Sequence, residues 1–162
     1  LIASVLAFDG DINQGSENSP IAFENSVIIA STYGFVYPAS SLATEEVGTL
    51  KNGIQRFDVN KNGKGAKAVL IAKKDGYQIE FFVTENKDYA VGSYNLNKEK
   101  FEKTKGSNMI ETQKSMGNVS KYTLKSNSTY KVVSRVGETF VYINAPGAKA
   151  DEINEVLKKL GY

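Results

Sequence analysis

The chain reads as an α+β domain: an antiparallel β-sheet of about six to nine short strands, with a C-terminal amphipathic helix packed on one face. Three observations carry that reading. Asp75-Gly76 joins two apolar runs, Ala66–Lys73 and Tyr77–Thr84, and Asp-Gly at such a junction suits the hairpin turn whose two central residues take positive φ. Val119–Lys125, Thr129–Arg135 and Glu138–Asn144 are strand-length runs rich in β-branched and aromatic residues, parted by turns at Asn127-Ser128 and Gly137. In Ala148–Leu160 the residues Ile153, Val156, Leu157 and Leu160 fall at i, i+3, i+4 and i+7, one stripe of a helix.

Taken in order, Leu1–Ala7 is apolar and uncharged and closes on Val5-Leu6-Ala7, the small-x-small pattern that signal peptidase reads. We read residues 1–7 as a signal-peptide remnant, 8–22 as a flexible leader rich in Gly, Asn and Ser, and 23–162 as a single globular domain. Val27–Thr32 has strand character, and Phe35–Tyr37 continues it or pairs with it across Tyr33-Gly34. Residues 39–52 are ambiguous: Ser40 or Ser41 would cap a short helix that Gly48 stops early. Ile54–Val59 is a further strand, closed by the turn cluster at residues 60–65. Within Tyr77–Thr84, Tyr77, Ile79, Phe81 and Val83 share one face, and Gln78, Glu80, Phe82 and Thr84 the other.

Tyr89–Tyr94 is expected as a strand with a bulge at Gly92, and Asn97–Lys105 as a short polar helix capped by Asn97 and stopped at Gly106. Residues 107–118 read as loop or weak strand. The meander follows, and then the last helix. Asp151 and Glu152 stand at its positive end and Lys158 and Lys159 at its negative end, before Gly161 stops it.

Composition bounds the chemistry. With 162 residues, no Cys and no His, the chain has no disulfide, no thiolate nucleophile and no imidazole base or ligand. Residues 1–60 hold two basic residues against seven acidic ones, a net of −5, whereas residues 61–162 hold eighteen against eleven, a net of +7. The basic half is a solvated lysine-rich face or a surface for an anionic partner. All but two of the 20 basic residues are Lys. Arg is the better phosphate fork, so nucleic acid is not expected as a partner. No apolar segment approaches the ~20 residues that cross a bilayer, so any membrane association is peripheral.

Local motifs add little. Asp58-Val59-Asn60-Lys61-Asn62-Gly63 matches the first half of a calcium loop, but its twelfth position is Val69, and a turn explains the same letters. Ser128–Lys131 spells S-x-x-K inside a β pattern, where residues three apart point to opposite faces. Tyr94–Lys98 spells Y-x-x-x-K without a dinucleotide loop. No cofactor or metal is expected, and no catalytic residue.

The abundance of Lys and Asn, the absence of Cys and Trp, the apolar close at Leu1–Ala7 and phrases such as Asn97-Lys98-Glu99-Lys100-Phe101 resemble small periplasmic proteins of Campylobacter-type bacteria. Some of those are accessory parts of the periplasmic flagellar-motor scaffold, which the resemblance implies as a setting. The expectation is therefore an exported, non-enzymatic interaction or scaffold domain docking onto a larger envelope protein or assembly, through sheet face, edge strand or helix. Tyr89, Tyr94, Tyr122 and Tyr162 are its candidate surface aromatics, since Tyr is enriched at interfaces. The alternative is a small-ligand or glycan-binding periplasmic module with an aromatic-lined concavity over the sheet. A hydrolase working through Asp and Glu alone is a third class, requiring two carboxylates facing each other across a cleft.

Overall fold

The computed structural model describes residues 32–36 and 66–162. The expectations for residues 1–7 and 8–22, the strand at Ile54–Val59, the Asp58 loop and, but for Thr32, the strand at Val27–Thr32 lie outside them. The elements are β1 (Ala66–Lys74), β2 (Tyr77–Thr84), α1 (Lys87–Glu102), β3 (Ile110–Met116), β4 (Val119–Lys125), β5 (Tyr130–Val136), β6 (Thr139–Ala145) and, after a 3₁₀ turn at Gly147–Lys149, α2 (Ala150–Leu160).

The six strands form one sheet in the order β1-β2-β6-β5-β4-β3, each neighbouring pair antiparallel. Two blocks compose it: the hairpin β1–β2 and the meander β3–β4–β5–β6, which returns to place β6 beside β2. Helix α1 links the blocks. Its 16 residues make it about 24 Å long, and it lies over β2, β6, β5 and β4.

The first hairpin turns as its sequence requires. Asp75 has φ +49° and Gly76 φ +81°, the paired positive values of a type I′ turn. This turn matches the right-handed twist of the flanking strands and sets the register Lys74↔Tyr77 through Val69↔Phe82. On the outer side of β1, Val36 bridges Lys73 in antiparallel fashion, its amide donating to the Lys73 carbonyl at 2.9 Å and its own carbonyl accepting from Lys73 N–H at 2.8 Å. Phe35 beside it is buried.

Both faces of the sheet are covered. On one, Ile153, Val156, Leu157 and Leu160 of α2 pack on Leu70, Ile79, Phe81, Val132, Val141 and Ile143. On the other, Tyr94 and Phe101 of α1 pack with Val69, Ile71, Phe82, Tyr122, Leu124, Val133 and Phe140. Phe82 and Phe140 stack there with ring centroids 4.5 Å apart.

The C-terminal helix thus stands where the apolar stripe put it, and a second helix corrects the expectation for Tyr89–Tyr94. That segment is not a strand, and Asn97 caps nothing: both lie inside α1, whose N-cap is Asn86, accepting from Tyr89 N–H at 3.1 Å. The buried side of α1 is Ala90, Ser93, Tyr94, Asn97 and Phe101. Two of these five are polar, which hides the helical period from a hydrophobicity reading. Asn97 satisfies itself in part by donating to the Ser93 carbonyl at 2.8 Å.

Candidate functional site

Strand β3, in the segment whose sequence suits a loop or weak strand, is the most distinctive surface of the described residues. All seven of its residues are exposed, and it is the last strand of the sheet. Its polar composition follows from that position: neither helix reaches it, so neither face selects for apolar side chains. Ile110 and Met116 are nevertheless 68% and 66% exposed, at opposite ends of the strand and on the same face.

Its hydrogen-bonding parity follows from the turn to β4. Met116 pairs with Val119 across two residues, Gly117 and Asn118, of which Gly117 alone has positive φ, +57°. That is a type II′ turn, whose flanking residues exchange both backbone bonds. The next hairpin agrees in phase, since Gly137 N–H donates to the Asn118 carbonyl at 2.9 Å. Ile110, Thr112, Lys114 and Met116 therefore bond to β4. The N–H and C=O groups of Glu111, Gln113 and Ser115 point outward from the sheet edge.

Cross-strand side chains hold β3 against β4. On the α1 face the buried Tyr122 hydroxyl donates to Glu111 Oε2 at 2.6 Å, and Lys105 Nζ meets Glu111 Oε1 at 3.0 Å. Those two bonds hold the Glu111 carboxyl below its ordinary pKa, while burial and then the Glu111 contact push the Tyr122 hydroxyl up. Ser115 and Ser120 hydroxyls lie 3.1 Å apart on the same face, and the Thr112 and Thr123 hydroxyls meet on the other.

That other face carries an open trough. Helix α2 covers the sheet as far as β5 and leaves β3 and β4 bare beside it. The trough has a volume of about 540 Å³, with Thr112, Gln113, Lys114, Lys121, Thr123 and Lys125 along its floor, Ile110 at one end, and Tyr130 and Asn154 as its wall. The Tyr130 hydroxyl donates to Asn154 Oδ1 at 2.6 Å, which closes that wall. A second concavity of about 340 Å³ adjoins it, sharing Ile110 and Lys125 and running on to Ser126–Ser128. Among the described residues no carboxylate lines either concavity. None of Lys114, Lys121 and Lys125 makes an ion pair with a described carboxylate.

The four expected surface tyrosines divide. Tyr94 and Tyr122 are buried, 4% and 0% exposed, because α1 covers the face on which both lie. They are core residues, and their assignment to a surface is corrected. Tyr89 is half-buried in the first turns of α1. Tyr162 is half-buried too, edge-on to Phe81 with centroids 5.7 Å apart, its hydroxyl 2.5 Å from Thr139 Oγ1. Its hydroxyl pKa is raised by burial. The structure brings none of the four together at β3 or in the trough except Tyr122, which reaches Glu111 from beneath. The residues that sequence reasoning missed, Lys114, Lys121 and Lys125, bear a detectable signal only in the +7 charge of residues 61–162.

The remaining motifs resolve as ordinary structure. Ser128 of S-x-x-K hydrogen-bonds Ser126 at 3.1 Å, whereas Lys131 reaches across to Thr104 Oγ1 at 2.8 Å. Lys98 of Y-x-x-x-K pairs with Glu102 at 2.7 Å. Among the described residues no three of His, Cys, Asp and Glu gather as metal ligands, and no helix is long and apolar enough to cross a membrane. No protein-family model matches the chain, and no curated protein or solved structure is significantly similar to it.

Proposed function

We propose that this chain is an exported, non-enzymatic docking domain of the cell envelope that binds a partner protein by accepting one of its strands on the outer edge of β3. The observation that carries the reading is the edge itself. β3 is exposed along its whole length, and the backbone groups of Glu111, Gln113 and Ser115 face away from β4. An extended segment laid there continues the antiparallel ladder, with main-chain hydrogen bonds supplying affinity. Edge strands are usually blunted by bulges, prolines or charge. The seven residues of β3 include neither bulge nor proline, and two charged residues, Glu111 and Lys114.

The periplasmic location is part of the same proposal and rests on the small-x-small close at Val5-Leu6-Ala7. The glycan-binding alternative has less support, since among the described residues Tyr130 is the one aromatic lining the trough.

The test is photo-crosslinking in the native envelope fraction, with the reactive group at Lys114, in two backgrounds. Gln113→Pro removes an outward amide without touching the bonds to β4, and Gln113→Ala keeps it. A stoichiometric adduct retained in Q113A and lost in Q113P is the expected result. An adduct equal in both, or the protein recovered alone, overturns strand addition.

A further inference from the structure

Three lysines without an ion-pair partner among the described residues, on one concave surface, call for a counter-charge. Lys114 projects from β3 and Lys121 and Lys125 from β4, all on the face that α2 leaves bare. Isolated surface lysines normally stand apart in bulk water. Here Lys121 is half-buried, and burial, followed by the like charge of Lys114, lowers its pKa. Asp151 is among the charges that act on Tyr130 in the wall and is not among those that act on Lys121. Among the described residues the arrangement is one of unpaired positive charge.

We propose that the trough between β3–β4 and α2 is a binding site for an acidic peptide segment, whose carboxylates pair with Lys114, Lys121 and Lys125. Shape and chemistry together choose that ligand. The trough is open and continues past Ile110 and Lys125 into the second concavity, so it is elongated along the strands. A small anion there would stay hydrated, whereas an extended chain meets the cross-strand pair Lys114 and Lys121 and then, past Thr112 and Thr123, Lys125. The floor is Thr112, Thr123 and lysine stems, which offer methyl and methylene contact between the charges. No Arg lines the site, and the guanidinium fork is the group that favours phosphate over carboxylate. The site is on the sheet face, whereas strand addition uses the amides of the sheet edge, so neither reading rests on the other.

An oligoglutamate peptide titrated into the protein, followed by amide chemical shifts at low salt, tests the site. The expected result is shifts confined to Ile110–Lys114, Lys121–Lys125 and the Asn154 region. The triple change K114Q/K121Q/K125Q weakens binding roughly tenfold. A control triple on α1, K87Q/K100Q/K103Q, removes equal charge and leaves the affinity within about twofold of the parent. Binding survives in Ser115→Pro, which removes an outward edge amide at a residue that does not line the trough and so separates this site from the strand edge. Equal weakening by both triples reduces the effect to net charge and overturns the proposal. So does an absence of shifts in the trough, or tighter binding of inorganic tripolyphosphate at the same residues, which would make the site a phosphate site. Unchanged melting of each triple variant excludes unfolding as the cause of a loss.

Discussion

Gly147 shows how one residue is dictated by its neighbours. A Cβ built there would lie 2.4 Å from the Ser126 carbonyl oxygen and 2.6 Å from that of Asn127, both backbone atoms that cannot swing aside. Gly147→Ala is therefore expected to cost about 1–3 kcal/mol by overpacking, read as a lowered denaturation midpoint. Tyr122 joins packing to a polar tether. Tyr122→Phe loses the bond to Glu111 and should cost about 1 kcal/mol, whereas Tyr122→Ala empties a fully buried site and should cost about 3–5 kcal/mol. At the other end of the sheet, Lys74 Nζ donates to Glu152 Oε2 at 2.8 Å and the Tyr77 hydroxyl to Oε1 at 3.0 Å. These bonds depress the Glu152 pKa, the Lys74 bond most, so the folded state holds its carboxylate charged at pH values where the unfolded chain takes up a proton. Their stabilisation is complete above the ordinary value of 4.5 and is lost as pH falls through the lower folded value. Melting followed from pH 7 into acid should show that loss, and Glu152→Gln should lower the midpoint at pH 7 while flattening its acid limb. Pairwise facts of this kind were not legible in the sequence, because Lys74 and Glu152 are 78 positions apart.

Elements were legible where pattern and burial agree. The Asp75-Gly76 hairpin, the last three strands and the C-terminal helix each bury a periodic apolar set, so the local signal and the tertiary outcome coincide. Helix α1 was not legible, since Ser93 and Asn97 occupy its buried side and Tyr89, Val91 and Tyr94 mimic a strand. Strand β3 was half legible for the opposite reason. An edge strand with both faces wet has no apolar alternation to read. The two cases predict different responses to truncation. Phe101→Ala in α1 removes a ring packed on Tyr142 at 5.1 Å and should destabilise the fold by about 3–5 kcal/mol. Met116→Ala in β3 removes an exposed side chain and should change stability by less than about 0.5 kcal/mol. Chemical denaturation of the two variants side by side checks the contrast.

At the scale of the whole described sheet, the layers account for where function is sought. A sheet covered by one helix on each face has little room for a site on the β1, β2, β5 and β6 strands, whose side chains are spent on the two cores. The first edge is met by Val36, and α2 stops short of β3 and β4. What is left is a polar strand with a free backbone and, beside it, a lysine-floored trough. The candidate site was legible only as net charge in the C-terminal portion, because convergence of Lys114, Lys121 and Lys125 depends on strand pairing and on what α2 leaves uncovered. The most direct test of the docking account is hydrogen exchange of the β3 amides, in the free protein and in the complex captured from the envelope. Free, the amides of Glu111, Gln113 and Ser115 should exchange fast and those of Thr112 and Lys114 slowly. In the complex all five should be slow. Unchanged exchange at Glu111, Gln113 and Ser115, with protection arising on α1 or α2 instead, would contradict strand addition at this edge.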